Sequence, residues 1–370
     1  MGNAGFLIKR IYHIITPGIS DVHVSVARTT IGHHWRGNLV KKQLWTLCAS
    51  IAIAASCITY APAAHAYVSG SDVSWVTEEE ADGYSFYNSS GVKTDPFILL
   101  KNLGVGAIRL RVWVNPAGGW CDAADVLAKA KRAAAQGQQI LVDFHYSDTW
   151  ADPGHQTEPA AWAGQSLSQL ETDVWDHTTS VLNTLKSAGL TVTWVQVGNE
   201  INSGMLWPVG NTSNGFAPLA GLINSGYNAV KSVYPSAKVV IHLANGYDTS
   251  DFTWFFAGLK AAGGKWDVIG MSNYPTASNW STLNSELLTT AKTMISTYGT
   301  PVMVAETGMP WNDPTDANNM IADLTSKIWN LGSNGLGVFY WEPEAYPSWQ
   351  GYTLGALNSN GEFTAAMTHL

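Results

Sequence analysis

The chain has 370 residues with a formal net charge of −8, and six Lys/Arg against one Asp before residue 67 leave −13 on the remainder. So acidic a chain is a poor candidate for binding nucleic acid or an anionic membrane surface, and neither is expected as a partner. Of three cysteines only Cys121 lies beyond residue 66, which excludes an intramolecular disulfide there, and no Cys/His cluster has zinc spacing.

Residues 1–40 fit no part of an export signal and read as an upstream extension, with Leu39 or Val40 as the true start. Residues 41–66, "KKQLWTLCASIAIAASCITYAPAAHA", read as a secretory signal peptide. Lys41 and Lys42 form its charged start, Leu44 to Tyr60 its apolar run, and Ala64-His65-Ala66 its small-x-small cleavage site. A retained anchor is the alternative, disfavoured because the run is short for a span. Cys57 follows Ala55-Ser56, a poor match to a lipid-attachment site. The expectation is a secreted (extracellular) protein cleaved near Ala66, with no membrane association afterwards.

Residues 67–370 show no linker, low-complexity run or repeat; they alternate apolar strands with helical stretches. The strands are expected at Gly70–Trp75, Ala107–Val114, Gln139–Tyr146, Thr193–Val197, Lys238–Ala244, Val268–Asn273, Pro301–Ala305 and Gly337–Trp341. Near-continuous apolar runs suit parallel strands buried on both faces. Helices are expected over residues 123–136 and 171–188, with Gly137, Gly189, Gly263 and Gly299 as stops. Eight strands alternating with helices predict an α/β fold, a (β/α)8 TIM barrel forming one catalytic domain over 67–370. A doubly wound open sheet is the runner-up, but no G-x-G-x-x-G follows the first strand.

A barrel carries its chemistry at the C-terminal strand ends. Those ends hold Asp72 and Trp75, Arg111 and Trp113, Asp143 and His145, Asn199 and Glu200, His242 and Asn245, Asn273 and Tyr274, Glu306, and Trp341 with Glu342. A purely structural barrel has no need of so many polar ends. Glu200 and Glu306 each close an apolar strand, the fourth and the seventh, and two carboxylates across a barrel mouth suit glycoside hydrolysis. One must hold a proton while the other is ionised, so their surroundings must separate them. Arg111 is the expected partner holding Glu306 ionised, since "RLRVW" puts Arg109, Arg111 and Trp113 on one face. Tyr274 is a candidate donor to Glu306, Asn199 a candidate ligand of a sugar hydroxyl, and Trp341 a candidate floor for the reacting sugar. His145 is a further candidate from "DFHYSD", and His242 is balanced between the site and the core. Glu342 is expected to point away, as the neighbour of Trp341. Fifteen of the 17 tryptophans lie beyond residue 66, which suggests sugar-stacking platforms, although core packing must use most of them.

The motifs "GNE" and "ET" resemble the clan of retaining glycosidases on (β/α)8 barrels. In order, "DVSWVTEEEADG", "IRLRVWVNP", "DFHYSDTWADPGHQTEPAAW", "VQVGNEIN" and "VAETGMPW" resemble the arabinogalactan endo-β-1,4-galactanases, glycoside hydrolase family 53, from about residue 70 to the C-terminus. The resemblance implies Glu200 as acid/base and Glu306 as nucleophile. It implies Arg111, His145, Asn199, Tyr274 and Trp341 around them, with Asp148 and Trp150 binding galactose units. It implies a polysaccharide substrate, β-1,4-galactan, cleaved by double displacement. Some bacterial members hold calcium in a long loop after strand seven. Here "TGMPWNDPTDANN" is short, with Asp313 and Asp316 but no dense ligand run, so no metal and no cofactor is expected. Nothing calls for an obligate protein partner, so a monomer is expected. The rival readings are a β-mannanase or cellulase on the same scaffold, and a secreted sugar-binding protein that has lost a carboxylate.

Overall fold

The structure, a computed structural model, describes residues 67–370. The extension and the signal peptide read from residues 1–66 lie outside the described residues. Eight parallel strands close into a barrel in chain order. They are β1 (Val68–Asp72), β2 (Ala107–Val112), β3 (Gln139–Phe144), β4 (Trp194–Val197), β5 (Lys238–Leu243), β6 (Val268–Asn273), β7 (Val302–Thr307) and β8 (Gly335–Trp341). The α-helices of the described residues are α1 (Val76–Ala81), α2 (Pro96–Asn102), α3 (Ala123–Ala135), α4 (Leu167–Ser187), α5 (Phe216–Val233), α6 (Thr249–Ala261), α7 (Trp280–Tyr298) and α8 (Pro314–Trp329). Pairing of β8 with β1, from Val68↔Gly337 to Asp72↔Trp341, closes the ring. The fold is the expected (β/α)8 barrel, and that closure excludes an open sheet. None of these helices is long and apolar enough to cross a membrane.

Local chemistry sets the element limits. α4 begins four residues earlier than residue 171 because Ser166 and Gln169 form a capping box ahead of Leu167. α3 starts where the Asp122 side chain accepts from the amides of Ala124 and Asp125. α7 stops at Gly299, whose φ of 64° is a left-handed cap. β1 ends at Asp72 rather than at residue 75, because the Trp75 carbonyl already accepts the amides of Glu78 and Glu79 and so opens α1.

Two apolar layers form. One lies between strands and helices; the other plugs the barrel at the N-terminal ends of the strands with Val68, Leu141, Trp194, Met303 and Phe339. Gly70 makes that plug possible: a Cβ there would sit 2.2 Å from the Phe339 ring. Above the plug, inward positions turn polar: Arg109 on β2, Asp143 on β3, Gln196 on β4, His242 on β5 and Ser272 on β6 are all buried.

Candidate active site

Alternation along a strand puts every second side chain inside. Residues 107, 109 and 111 of β2 and 141 and 143 of β3 follow it, and His145 just past β3 continues it. β7 does not. Met303 belongs to the inner plug, so strict alternation would turn Ala305 and Thr307 inward. Instead β6 pairs Met271 with Val304 and Ser272 with Glu306, so β7 has one extra residue in between. This β-bulge flips the pattern: Glu306 enters the barrel, while the Thr307 hydroxyl points out to the Asn273 carbonyl and the Met320 sulfur of α8. The strand itself was expected to stop at Ala305 and runs on through Thr307.

Arg109 is the hub beneath the mouth. Its guanidinium meets Asp72 at 2.7 Å, Asp143 at 2.8 Å and Glu306 at 2.8 Å, and donates to Gln196 Oε1 at 3.2 Å and Asn199 Oδ1 at 2.9 Å. Burial alone discourages its charge, but Asp143, Glu306 and Asp72 overcome that and fix it as a cation. The expectation that Arg111 holds Glu306 is therefore corrected. Arg111 pairs with Glu342 at 2.9 Å and stacks 4.1 Å over Trp150 and 4.8 Å over Trp113. Both arginines face inward; Arg109 lies two residues deeper, at the level of Glu306. Glu342, expected to point away, is fully buried as the partner of Arg111 and of the Trp75 amide.

Seven of the nine expected site residues line one pocket: His145, Trp150, Asn199, Glu200, Tyr274, Glu306 and Trp341. Arg111 stands behind the Trp150 wall. Asp148 is spent on the loop, with its two oxygens accepting the amides of Asn115 and Ala160 at 2.9 Å each. The pocket also takes in Ala151, Asp152, Tyr352 and Leu354, which sequence reasoning did not single out. Asp152 was visible within the strand-three loop motif; Tyr352 and Leu354, in the loop after β8, carried no signal.

The Tyr274 hydroxyl donates to Glu306 Oε2 at 2.8 Å, as expected. The Ser272 hydroxyl donates to Glu200 Oε1 at 2.6 Å. Burial raises the pKa of Glu200, against the Ser272 bond and Arg109, and Asp152 and Asp143 add to the rise. Burial also raises Glu306, with Glu200 and Asp143 adding to the rise, while Arg109 and the Tyr274 bond oppose it and favour its ionised form. His145 is kept neutral by burial. Its tautomer follows from its partners: Nδ1 accepts from Trp113 Nε1 at 3.2 Å and the Ala151 amide at 3.1 Å, so Nε2 carries the hydrogen toward Asp143 at 3.0 Å. His242 is fully buried and bridges Ser272 Oγ to Asn199 and Gln196.

The mouth stores backbone strain. Tyr146, Glu200, Asn245 and Glu342, just past β3, β4, β5 and β8, have φ of 50°, 47°, 57° and 46°. Such a conformation costs about 1–3 kcal/mol at a non-glycine residue and persists only where neighbours impose it. Behind the Trp75–Trp341 wall lies a second group of carboxyls: Glu79, Glu342 and Glu344 are all fully buried. Burial pushes Glu79 up to about 9 and Glu344 far above the ordinary range. Asp313 is engaged as the cap of α8, accepting from the Asp316 amide.

Residues 68–370 match the sequence profile of glycosyl hydrolase family 53. The chain is 36% identical over 310 residues to a probable arabinogalactan endo-beta-1,4-galactanase A of Neosartorya fischeri, covering 78% of this chain and 86% of that protein. It is 37% identical over 300 residues to the arabinogalactan endo-beta-1,4-galactanase of Thermothelomyces thermophilus, covering 74% and 88%. A solved fungal beta-1,4-galactanase superposes with a TM-score of 0.76 at 33% identity, covering 82% of this chain and 98% of that one. With the closed barrel and the paired glutamates in place, the match over nearly all of the described residues makes the conclusion direct: the chain belongs to glycosyl hydrolase family 53.

Proposed function

We propose that the chain is an endo-β-1,4-galactanase that cleaves galactan, including the galactan side chains of pectin, by double displacement. One observation carries the chemistry: a half-buried glutamate, Glu200, and a buried one, Glu306, share a pocket with unequal donors. Glu306 receives Arg109 and Tyr274; Glu200 receives only the Ser272 hydroxyl. Each carboxyl raises the cost of ionising the other, so the pair keeps one proton well above the ordinary glutamate range. That proton goes to the member with fewer donors. Glu306 is the ionised nucleophile and Glu200 the acid.

Glu306 attacks the anomeric carbon while Glu200 protonates the departing glycosidic oxygen. Glu200 then takes a proton from water, which displaces the sugar from Glu306. Asn199 meets a sugar hydroxyl beside the reacting carbon, and Trp341 and Trp150 supply the apolar walls. The galactan preference rests on the relatives named arabinogalactan endo-beta-1,4-galactanases. The protein is exported by the leader at 41–66 and works as a secreted monomer, which N-terminal sequencing and sizing of the secreted product test. Reducing-sugar release from linear β-1,4-galactan by residues 67–370, beside Glu306→Gln, tests the activity. Release from galactan that the variant loses supports it; release from mannan or carboxymethylcellulose instead overturns the substrate.

A further inference from the structure

Glu200 sits in a left-handed backbone conformation, with φ of 47°, that its own chain does not favour. Just ahead of it, the Gly198 amide donates to the Phe144 carbonyl and the Asn199 side-chain amide to the Ala151 carbonyl. Two contacts grip the main chain on either side of Glu200 itself. The Ile201 amide donates to the His242 carbonyl at 3.1 Å, a backbone bond available to any sequence. The second is a side chain. Gln156, 2% exposed on the loop after β3, donates Nε2 to the Asn199 carbonyl at 2.8 Å and the Asp152 carbonyl at 3.0 Å. The Glu200 carbonyl lies 3.5 Å from the same nitrogen. The Gln156 carbonyl in turn accepts the Trp207 amide at 2.8 Å, tying in the loop after β4. Three carbonyl oxygens around one atom identify it as the amide nitrogen. The amide oxygen has no hydrogen-bond partner among the described residues. A buried unpaired acceptor is costly, and an apolar side chain of equal size would avoid it. What such a side chain would lack is a donor to the peptide preceding Glu200.

We infer that Gln156 is a positioning residue for Glu200: its amide grips the peptide groups around the strained residue and so keeps the carboxyl aimed at the pocket. Without that grip, Glu200 relaxes toward negative φ, and its carboxyl swings away from the leaving oxygen. The inference rests on the assignment of Glu200 as acid/base. Gln156 touches no reacting atom.

Leaving-group dependence separates positioning from mere support of the fold. Galactan has a poor leaving group and needs its proton. A 2,4-dinitrophenolate leaves unaided, and kcat/KM reports only steps up to that cleavage. The experiment compares kcat/KM of the wild type, Gln156→Met, Gln156→Glu and Glu200→Ala on β-1,4-galactan and on 2,4-dinitrophenyl β-1,4-galactobioside, with melting temperatures alongside. General acid catalysis is worth roughly 10²–10⁴-fold, and misplacing the acid forfeits part of it. Gln156→Met is therefore expected to lose about tenfold or more on galactan and to stay within about threefold on the dinitrophenyl substrate. Equal losses on both, or no loss on either, overturn the inference. If Met does not fold at 156, Gln156→Glu decides. Its carboxylate repels the three carbonyls, and its protonated form regains one donor. Its galactan-to-dinitrophenyl ratio must then climb toward that of the wild type as pH falls, and a pH-independent ratio overturns the inference. Glu200→Ala shows whether the underlying reading stands. If it lacks the leaving-group split, the role of Glu200 fails; if only the Gln156 variants lack it, the inference fails alone.

Discussion

Arg109 binds three carboxylates and two amide oxygens with one guanidinium, and no other side chain matches that fork. Lysine there would keep the charge and lose most of the contacts. Arg109→Lys is expected to lower kcat/KM on galactan about 10²-fold, the scale of removing a preorganised donor. Arg111→Lys, which disturbs the Trp150 and Trp113 stack instead, is expected to raise KM several-fold with kcat nearly kept. The reverse order would show that Arg111 governs the nucleophile after all. Tyr274 gives a pH signature. Its hydroxyl bond lowers the pKa of Glu306, so Tyr274→Phe raises it. On the proposed role of Glu306 as an ionised nucleophile, the acid limb of the kcat/KM profile is expected to move to higher pH, with the loss greatest at low pH. A limb that stays or moves down contradicts the role. That Glu200 and Glu306 share one pocket was legible because an acid closing an apolar strand is conspicuous. Arg109 and Arg111 were not separable, since alternation puts both inside and only depth in the barrel tells them apart. Asp148 looked like a sugar ligand within its motif, and only coordinates show both oxygens taken by backbone.

At the scale of elements, β7 carries one extra residue, Ala305, between its pairings with Met271 and Ser272. Deleting Ala305 removes the bulge and leaves Glu306 directly after Val304, so strict alternation keeps Glu306 on the inward face that Met303 shares. The expected result is a protein with an unchanged circular dichroism spectrum that still cleaves galactan measurably. Loss of cleavage in such a folded protein would show that the bulge itself, and not only the inward direction, sets the aim of the carboxyl. All eight strands were legible from their apolar runs, and their limits to within about two residues at most ends. The bulge was not, because the run across Pro301–Ala305 is apolar in either register. α1 and the loop after β8 are joined by buried acids: the Glu79 carboxyl accepts the Tyr346 amide, and the Glu342 carboxyl accepts the Trp75 amide. Glu79 titrates near 9 when folded against 4.5 in its unperturbed state, so the folded form holds a proton that the unfolded chain releases. Its contribution is present below about pH 4.5 and is lost progressively as pH rises toward 9. Glu79→Gln removes that loss. It is expected to raise the melting temperature at pH 8, by about 2–4 °C for each kcal/mol recovered, and to leave it nearly unchanged at pH 4.5. An equal shift at both pH values would point to packing instead.

For the whole molecule, residues 67–370 hold one cysteine, Cys121, which is free and buried. Stability there comes from the two apolar layers and the closed ring of strands. Residues 67–370 are therefore expected to show the same melting temperature and activity with or without dithiothreitol, whether made in a reducing or an oxidising compartment. A drop of more than about 2 °C on reduction would reveal a cross-link beyond this chain's own. The barrel class was legible from rhythm alone, but the seal at its base was not, since a glycine and a phenylalanine 269 residues apart give no hint that one fills the other's space. That seal has a consequence for traffic. With Phe339 seated over Gly70, the barrel is a dish and not a pore. A polymer cannot thread it from a chain end. It has to be laid across the rim, with both tails free to overhang, and the two halves of a cut chain part sideways without either having to be reeled out.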